Sequence, residues 1–447
     1  MIIPEYVQFC LNRLEAAGYQ AYIVGGCVRD NLLGLTPNDY DMCTNALPEQ
    51  TEEIFSDHKL VLSGKKHGTV GVITEGGVIE ITTFRTEGNY TDNRHPEWVK
   101  FVPNVEDDLS RRDFTVNAMA FSPTRGPIDP FGGQEDLKNQ ILRAVGDPIQ
   151  RFQEDSLRIL RGARFAAKYR LTPEENTLKA MVDLRNLMEN LARERVFEEL
   201  CKLLLSATAE DLLRYAPLIG QVIPELESQI GFDQRNIHHA YDLFTHTAHV
   251  TALTPKELPL RWAGLLHDVG KVPSFFIDEE GHGHFYGHAK ISAPLADEIL
   301  RRLKAPTALR EEVVRLCELH MTLIQPEKKI VRRWLGKLGP ELMEKLLTFQ
   351  EADILGKGIP EGDELDQFPK LRSIIAEIQA ENACFSLKDL AVRGNDLMAL
   401  GYAGKEIGTC LNQLLEQVME EKLPNEKEAL INWARNKQQN SKGLITK

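Results

Sequence analysis

The sequence predicts an α+β protein: a small head of mixed sheet and helices, followed by a longer all-helical remainder. Between residue 1 and residue 140, short strand-like runs (21–24, 69–74, 78–84 and 98–102) alternate with Gly, Asn, Asp and Pro turn signals. Beyond Ile141 the texture changes, and apolar residues such as Leu157, Leu160, Ala163 and Phe165 recur at helical spacing. A chain of 447 residues is also long enough for about two to four units with separate cores. The expected divisions are a head over 1–140, a helical segment over 141–230, a histidine-rich section over 231–360 and a helical tail over 361–447. The last boundary rests on the hinge-like run GIPEGDELDQFP, and eight of the twelve histidines fall between His238 and His288.

A net charge of −13 and a pI near 5.5 argue against a protein that coats nucleic acid nonspecifically, because phosphate binding needs clustered Lys and Arg. Any RNA contact must therefore be local. Arg143, Arg151, Arg158, Arg161, Arg164, Lys168 and Arg170 form one such concentration, with a solvated helix face as the plainer alternative. Seven scattered cysteines without a CxxC pair imply a reducing compartment, and neither a signal peptide nor a membrane-length apolar run is evident. A cytoplasmic location with no membrane partner is the expectation.

The head opens with IVGGCVRDNLLGLTPNDYD over 23–41. A short apolar strand, the Gly25-Gly26 break and a following helix start form an anion cradle, since backbone N–H groups there lack intrahelical partners. Arg29 adds a forked cation suited to phosphate oxygens. Asp39 and Asp41 stand at i and i+2, so on an extended segment both carboxylates leave the same face. Hard oxygen ligands so placed suit two Mg²⁺ ions, about 3.5–4 Å apart, that activate a hydroxyl and stabilise leaving pyrophosphate. A Gly-Gly turn followed by a surface Asn-Asp loop is the bland alternative, which the combined spacing disfavours. Glu80, in the alternating strand IEITTFR, offers a third carboxylate on that face, with an exposed strand glutamate as its alternative.

Glu154-Asp155-Ser156-Leu157-Arg158 carries the second chemical signal. Asp155 and Arg158, three apart on an expected helix, would share a face. Cytosine and adenine each present an amino donor beside a ring-nitrogen acceptor, whereas uracil and guanine present the reverse. An ionised Asp only accepts and an Arg only donates, so the pair matches C and A and rejects U and G. An i,i+3 salt bridge, worth only about 0.2–0.5 kcal/mol, is the competing reading.

The ordered segments GGCVRDNLLG with NDYDMCT, GKKHGTV, IEITTFRT, RRDFTVNAMAF, IDPFGGQEDL and EDSLRILRGARF resemble the motifs of bacterial class II tRNA nucleotidyltransferases. The resemblance runs through roughly the first 200 residues and covers CCA-adding enzymes and bacterial poly(A) polymerases. It implies a polymerase-beta-like head with Asp39, Asp41 and Glu80 as catalytic carboxylates. It further implies nucleotide contacts from Gly25, Gly26, Arg29, Arg111, Arg112, Asp113, Asn117, Asp155, Arg158, Arg161 and Arg164. In that family the arginine pair of RRDFTVNA binds phosphates and its aspartate lies near the ribose. TEGNYTDNRHPEWV, with Tyr90, Asp92, Arg94 and Pro96, reads as a loop and resembles the one used in changing from C to A addition. Glu194, Arg195 and Glu198 resemble a motif that supports the templating helix, and the stretch beginning VRGNDLMALG resembles the family tail.

His246, His267-Asp268, His288, His320 and Asp353 resemble an HD domain, which gathers such residues around a metal. Imidazole and carboxylate ligands suit Ni²⁺, Co²⁺, Mn²⁺ or Mg²⁺ more than structural zinc. Ordinary buried core histidines are the alternative.

These observations lead to an expected activity: template-independent addition of CCA to the 3′ end of tRNA from CTP and ATP, without DNA as a partner. An A-adding enzyme or bacterial poly(A) polymerase is the nearest rival. An HD-domain phosphohydrolase with a degenerate head is the rival from another class, and intact Asp39, Asp41, Arg111 and Arg112 oppose it.

Overall fold

The computed structural model describes residues 1–90, 96–236, 240–359, 364–381, 387–420 and 422–443. They form two compact units, Met1–Ile230 with Ile299–Ala305, and Gly231–Glu298 with Pro306–Lys447. Among the described residues no helix is long and apolar enough to cross a membrane.

In the first unit, nine strands precede the helical part: β1 (Ala21–Val24), β2 (Asp41–Thr44), β3 (Leu60–Val61), β4 (Thr69–Thr74), β5 (Gly77–Thr83), β6 (Arg85–Tyr90), β7 (Pro96–Phe101), β8 (Ala120–Ser122) and β9 (Gly126–Ile128). Seven make a mixed sheet in the order β3-β4-β5-β2-β1-β8-β9. All four residues of β1 are buried, as its unbroken apolar run requires at the sheet centre. Asp41 is the one exposed residue of β2, and parallel pairing sets it opposite Glu80 on β5. Tyr22, Val24, Cys43, Phe84, Leu109 and Ala120 share a buried cluster that fixes the strands carrying these acids.

Two expectations of local structure change. The segment read as a loop over 86–99 is largely the antiparallel hairpin of β6 and β7. Gly88 faces Trp98, whose ring would lie 2.2 Å from a Cβ there, so the glycine's bareness admits the ring across the strands. Asp92 and Arg94 lie outside the described residues. In addition, Asp155 and Arg158 do not share a helix. The helix Pro148–Glu154 stops at Asp155, which is extended (φ −139°, ψ 103°), and a second helix runs from Leu157 to Tyr169. The Asp155 carboxylate accepts from the Leu157 N–H at 3.1 Å, a local bond that competes with helix continuation.

Among the described residues from Ile141 onward, the regular structure is helical apart from two short paired pieces. β10 (Ile141–Leu142) pairs in parallel with β11 (Thr172–Pro173), and β12 (Phe276–Ile277) pairs antiparallel with β13 (Gly283–His284). In the second unit the helices Leu243–Leu253, Leu258–Leu266, Thr307–Leu319 and Lys328–Gly356 carry the histidine-rich section, the last one kinked at Gly339. The tail helices enclose a core of their own around Leu397, Leu414 and Leu430.

Candidate functional site

A cleft of about 890 Å³ in the first unit is lined by Asp39, Asp41, Arg111, Arg112, Asp155 and Arg158, among others. Its lining includes nine basic side chains against five acidic ones, a local reversal of the chain's negative charge. Asp39 and Asp41 are exposed while Tyr40 between them is buried, so both carboxylates leave one face as the i,i+2 spacing requires. Crowding by protein, then the Asp39 carboxylate, push Asp41 up to about 6; Arg112 opposes this and Glu80 adds to it. Carboxylates that repel each other in this way fit a divalent cation, which would relieve the repulsion.

Gly25 adopts φ +76°, and a Cβ there would lie 2.6 Å from Arg112 Nη1, so glycine permits both the turn and the arginine's approach. Arg111 and Arg112 share one fully buried acid that sequence reading missed. Asp108 Oδ1 accepts from Arg111 Nε at 3.1 Å and Nη2 at 2.9 Å, and Oδ2 lies 3.7 Å from Arg112 Nη2. Its position three and four residues before the arginines, in VEDDLSRRDF, was the available signal.

Arg29 lines the cleft, yet its guanidinium is largely committed to protein. It bonds Asp30, Asn117 and the Tyr169 hydroxyl, and lies 4.0 Å from the Tyr169 ring centroid. Asn117 Nδ2 donates in turn to Asp113 Oδ1 at 3.0 Å, and Asp113 Oδ2 receives Arg161 Nε at 2.9 Å and Nη2 at 2.7 Å. The network ties the glycine turn to the helix Leu157–Tyr169.

Along that helix Arg158, Arg161, Arg164 and Lys168 line the cleft. Arg143 pairs with Asp136, Arg151 with Glu154 and Arg170 with Asp211, outside the cleft lining. Asp155 and Arg158 both face the cleft, and among the described contacts they form no ion pair with each other. Asp155 Oδ2 receives Arg195 Nη2 at 3.2 Å, whereas Arg158 donates to Glu154 Oε2 at 2.9 Å, Arg151 O at 3.1 Å and Arg111 O at 3.0 Å. Arg164 pairs with buried Glu199 at 2.6 Å, while Glu194 and Glu198 are exposed.

In the second unit His246, His267, Asp268, His288, His320 and Asp353 converge, all buried. Each histidine Nδ1 lies 2.7–3.1 Å from a backbone carbonyl: Gly356 for His246, Gly264 for His267, Phe285 for His288 and Cys317 for His320. Only a protonated Nδ1 can donate to a carbonyl, so each ring turns its Nε2 inward. The Nε2 atoms of His246 and His267 are 3.3 Å apart, and those of His288 and His320 are 3.1 Å apart. Asp268 divides its oxygens between the pairs: Oδ2 lies 3.4 Å and 3.2 Å from His246 and His267, and Oδ1 3.2 Å from His288. Both oxygens are buried, Lys271 Nζ also lies 2.9 Å from Oδ2, and these histidine and aspartate atoms form two groups with metal-ligand spacing. Burial disfavours a charged His267, but Asp268 and Asp353 override it and lift the ring to about 10, whereas burial and then His267 push His320 down to about 4.

The Poly A polymerase head domain matches residues 21–143, the probable RNA and SrmB-binding site of polymerase A matches 170–230, and tRNA nucleotidyltransferase domain 2 (putative) matches 284–434. The CCA-adding enzyme of Ligilactobacillus salivarius is 33% identical over 436 residues, covering 95% of this chain and 94% of its own. The Bacillus stearothermophilus CCA-adding enzyme in complex with CTP superposes with a TM-score of 0.72 at 28% identity, over 99% of this chain and 100% of that one. A Thermotoga maritima CCA-adding enzyme complexed with tRNA shares the fold, with a TM-score of 0.57 at 20% identity, over 98% of this chain and 96% of that one.

Proposed function

Because the chain belongs to the family of CCA-adding enzymes, we propose that it adds C, C and A to the 3′ end of tRNA from CTP and ATP, with no nucleic-acid template. The observation that carries the assignment of roles is that Asp155 and Arg158 face the same cleft as Asp39 and Asp41 without neutralising each other. Asp155, steadied by Arg195, accepts from the amino group of cytosine or adenine. Arg158 donates through Nε or its remaining Nη2 hydrogen to the ring nitrogen beside it. Arg111 and Arg112 hold the triphosphate, and Asp113 with Asn117 keeps Arg161 and Arg29 in place. Asp39 and Asp41 would hold Mg²⁺, with Glu80 beside Asp41, and the ions supply activation of the 3′ hydroxyl and neutralisation of leaving pyrophosphate. The basic lining receives the tRNA 3′ end, and the tail beyond 361 reaches the rest of the tRNA, in keeping with a head, neck, histidine-rich and tail division. Incubating tRNA that lacks its last three nucleotides with CTP, ATP or both tests the reading. Product lengths separate CCA addition from A-only or poly(A) addition.

A second reading concerns the histidine cluster, and the converging Nε2 atoms with the shared Asp268 favour it. The six residues fit an HD-type site for one or two divalent ions (Ni²⁺, Co²⁺, Mn²⁺ or Mg²⁺), with Asp268 shared between His246–His267 and His288–His320. Such ions, if bound, would supply a nucleophilic water for phosphoester hydrolysis. Metal analysis of the purified chain, with and without His267→Ala, tests this independently of the head.

A further inference from the structure

We propose that Phe165 and Tyr169 are positioning residues for the triphosphate of CTP and ATP, a stacked aromatic pair that holds Arg29, Arg161 and Arg164 in the cleft. The proposal rests on the nucleotidyl-transfer reading above and names two residues which that reading leaves without a role.

The two residues stand four apart on the helix Leu157–Tyr169, so they share one of its faces, and both line the cleft. Their ring centroids lie 6.1 Å apart with the planes at 26°, a stacked arrangement. Phe165 is buried, and Phe114, directly after Asp113, meets it edge-on at 5.9 Å and 77°. A Cβ at Gly162 would lie 3.1 Å from Phe114 Cζ, so the glycine one turn earlier makes room for that ring. At the other end the helix stops firmly. Arg170 turns left-handed (φ 56°, ψ 39°) and donates to Asp211 Oδ2 and to Ser206 O, each at 3.0 Å, which fixes the turn that carries Tyr169.

Three guanidinium groups gather on this pair. Arg164, Arg161 and Arg29 place Cζ 4.0, 5.1 and 5.2 Å from the Phe165 centroid, and Arg29 also lies against Tyr169. A ring face attracts a cation without cancelling its charge, so the charge stays available to an anion. One carboxylate pairs with each arginine, Glu199 with Arg164, Asp113 with Arg161 and Asp30 with Arg29, which lets three like charges stand together before a ligand enters. These arginines go with the triphosphate because Arg29 belongs to the short helix Gly26–Leu32 that opens at the Gly25-Gly26 turn. Asn117 and Asp113 join Arg29 and Arg161 to the segment of Arg112.

The Tyr169 hydroxyl completes the hold on Arg29 from 140 residues away. Arg29 donates Nε–H and one Nη2 hydrogen to Asp30 Oδ1 at 2.9 and 2.7 Å, the other Nη2 hydrogen to the Tyr169 oxygen, and an Nη1 hydrogen to Asn117 Oδ1. Four of its five guanidinium hydrogens are thereby placed while the Tyr169 ring covers its plane. A cation held at so many points has one geometry, and binding a phosphate then costs little ordering.

The test compares the full chain with its Tyr169→Phe and Tyr169→Leu variants by calorimetric titration with CTP and with CMP in Mg²⁺, and by steady-state kinetics on tRNA. Tyr169 is half-buried, whereas replacing buried Phe165 would also disturb the core, so position 169 carries the test. Tyr169→Phe loses only the hydroxyl and should bind CTP about threefold more weakly. Tyr169→Leu loses the ring as well and should bind CTP on the order of tenfold more weakly. CMP lacks the outer phosphates, so its affinity should move less and the preference for CTP over CMP should shrink in the same order. The KM for CTP and ATP should rise by more than kcat falls and by more than the KM for tRNA rises. An unchanged CTP preference in Tyr169→Leu, or equal rises in KM for nucleotide and tRNA, would overturn the proposal. Failure of the nucleotidyl-transfer reading shows up separately, as a parent chain that extends no tRNA, and the titrations still decide the role of the pair.

Discussion

Arg195 donates to Asp155 Oδ2 at 3.2 Å across 40 residues of sequence, while Arg158, three residues from Asp155, pairs with Glu154 instead. Neither Asp155 nor Arg158 neutralises the other, and each is oriented by a different neighbour. Replacing Arg158 or Asp155 with Ala should therefore relax nucleotide choice by about 1–3 kcal/mol, since one base edge is left unpaired. Arg195→Ala should relax choice by less, through a looser Asp155. Misincorporation of UTP and GTP into tRNA is the measurement, and unchanged exclusion by Arg158→Ala would remove the templating role.

Asp39→Ala and Asp41→Ala should each abolish incorporation while tRNA binding persists, because the Mg²⁺ ions proposed there would serve the chemical step. Gel-shift and primer-extension assays on the same preparation separate the two properties.

Asp108 should act on nucleotide binding through Arg111 and Arg112. Asp108→Asn keeps the shape and removes the charge, and breaking a buried ion pair costs about 3–5 kcal/mol. We expect a lower Tm together with a KM for CTP and ATP raised more than kcat is lowered. A loss of stability with unchanged KM in the folded fraction would make Asp108 purely structural.

Asp113 links the site to acid stability. Burial alone would raise its pKa, but Arg161 and the Asn117 bond hold the carboxyl well below the usual range. A folded value below the unfolded one, near 3.9, means stability that is present at neutral pH and lost as pH falls below about 4. Asp113→Asn should therefore lower Tm at pH 7 and flatten its decline between about pH 5 and pH 3, as read by calorimetry across pH.

Ending the chain after Glu381 removes the tail core of Leu397, Leu414 and Leu430. We expect weaker binding of full tRNA, a shallower salt dependence and a much smaller effect on acceptor-stem minihelices, because fewer phosphate contacts release fewer counterions. Equal losses on both substrates would show that the tail only supports folding.

Local periodicity was legible without coordinates. The all-apolar run of β1, the alternation through Asp39, Tyr40 and Asp41, and the cleft-facing series Arg158, Arg161, Arg164 and Lys168 follow from the repeat of a strand or helix. The family motifs were equally readable, since each is a contiguous segment. The hidden parts depend on partners distant in sequence or on competition between local bonds. The break at Asp155 reflects its carboxylate bonding Leu157 in place of helix continuation, and a helical pattern runs through it unmarked. Gly88 in β6 is explained only by Trp98 across the hairpin.

What the sequence by itself determined was the inventory: which carboxylates, arginines and histidines are candidates for the chemistry, and in which segments they fall. Only the tertiary structure decided how they are connected. It gave Arg111 and Arg112 a common buried anchor in Asp108, turned Arg29 toward Asp30, Asn117 and Tyr169, and divided the two oxygens of Asp268 between two histidine pairs. The physical reason is that a buried charge must find its partner in space, and His246 is oriented by the Gly356 carbonyl 110 residues away.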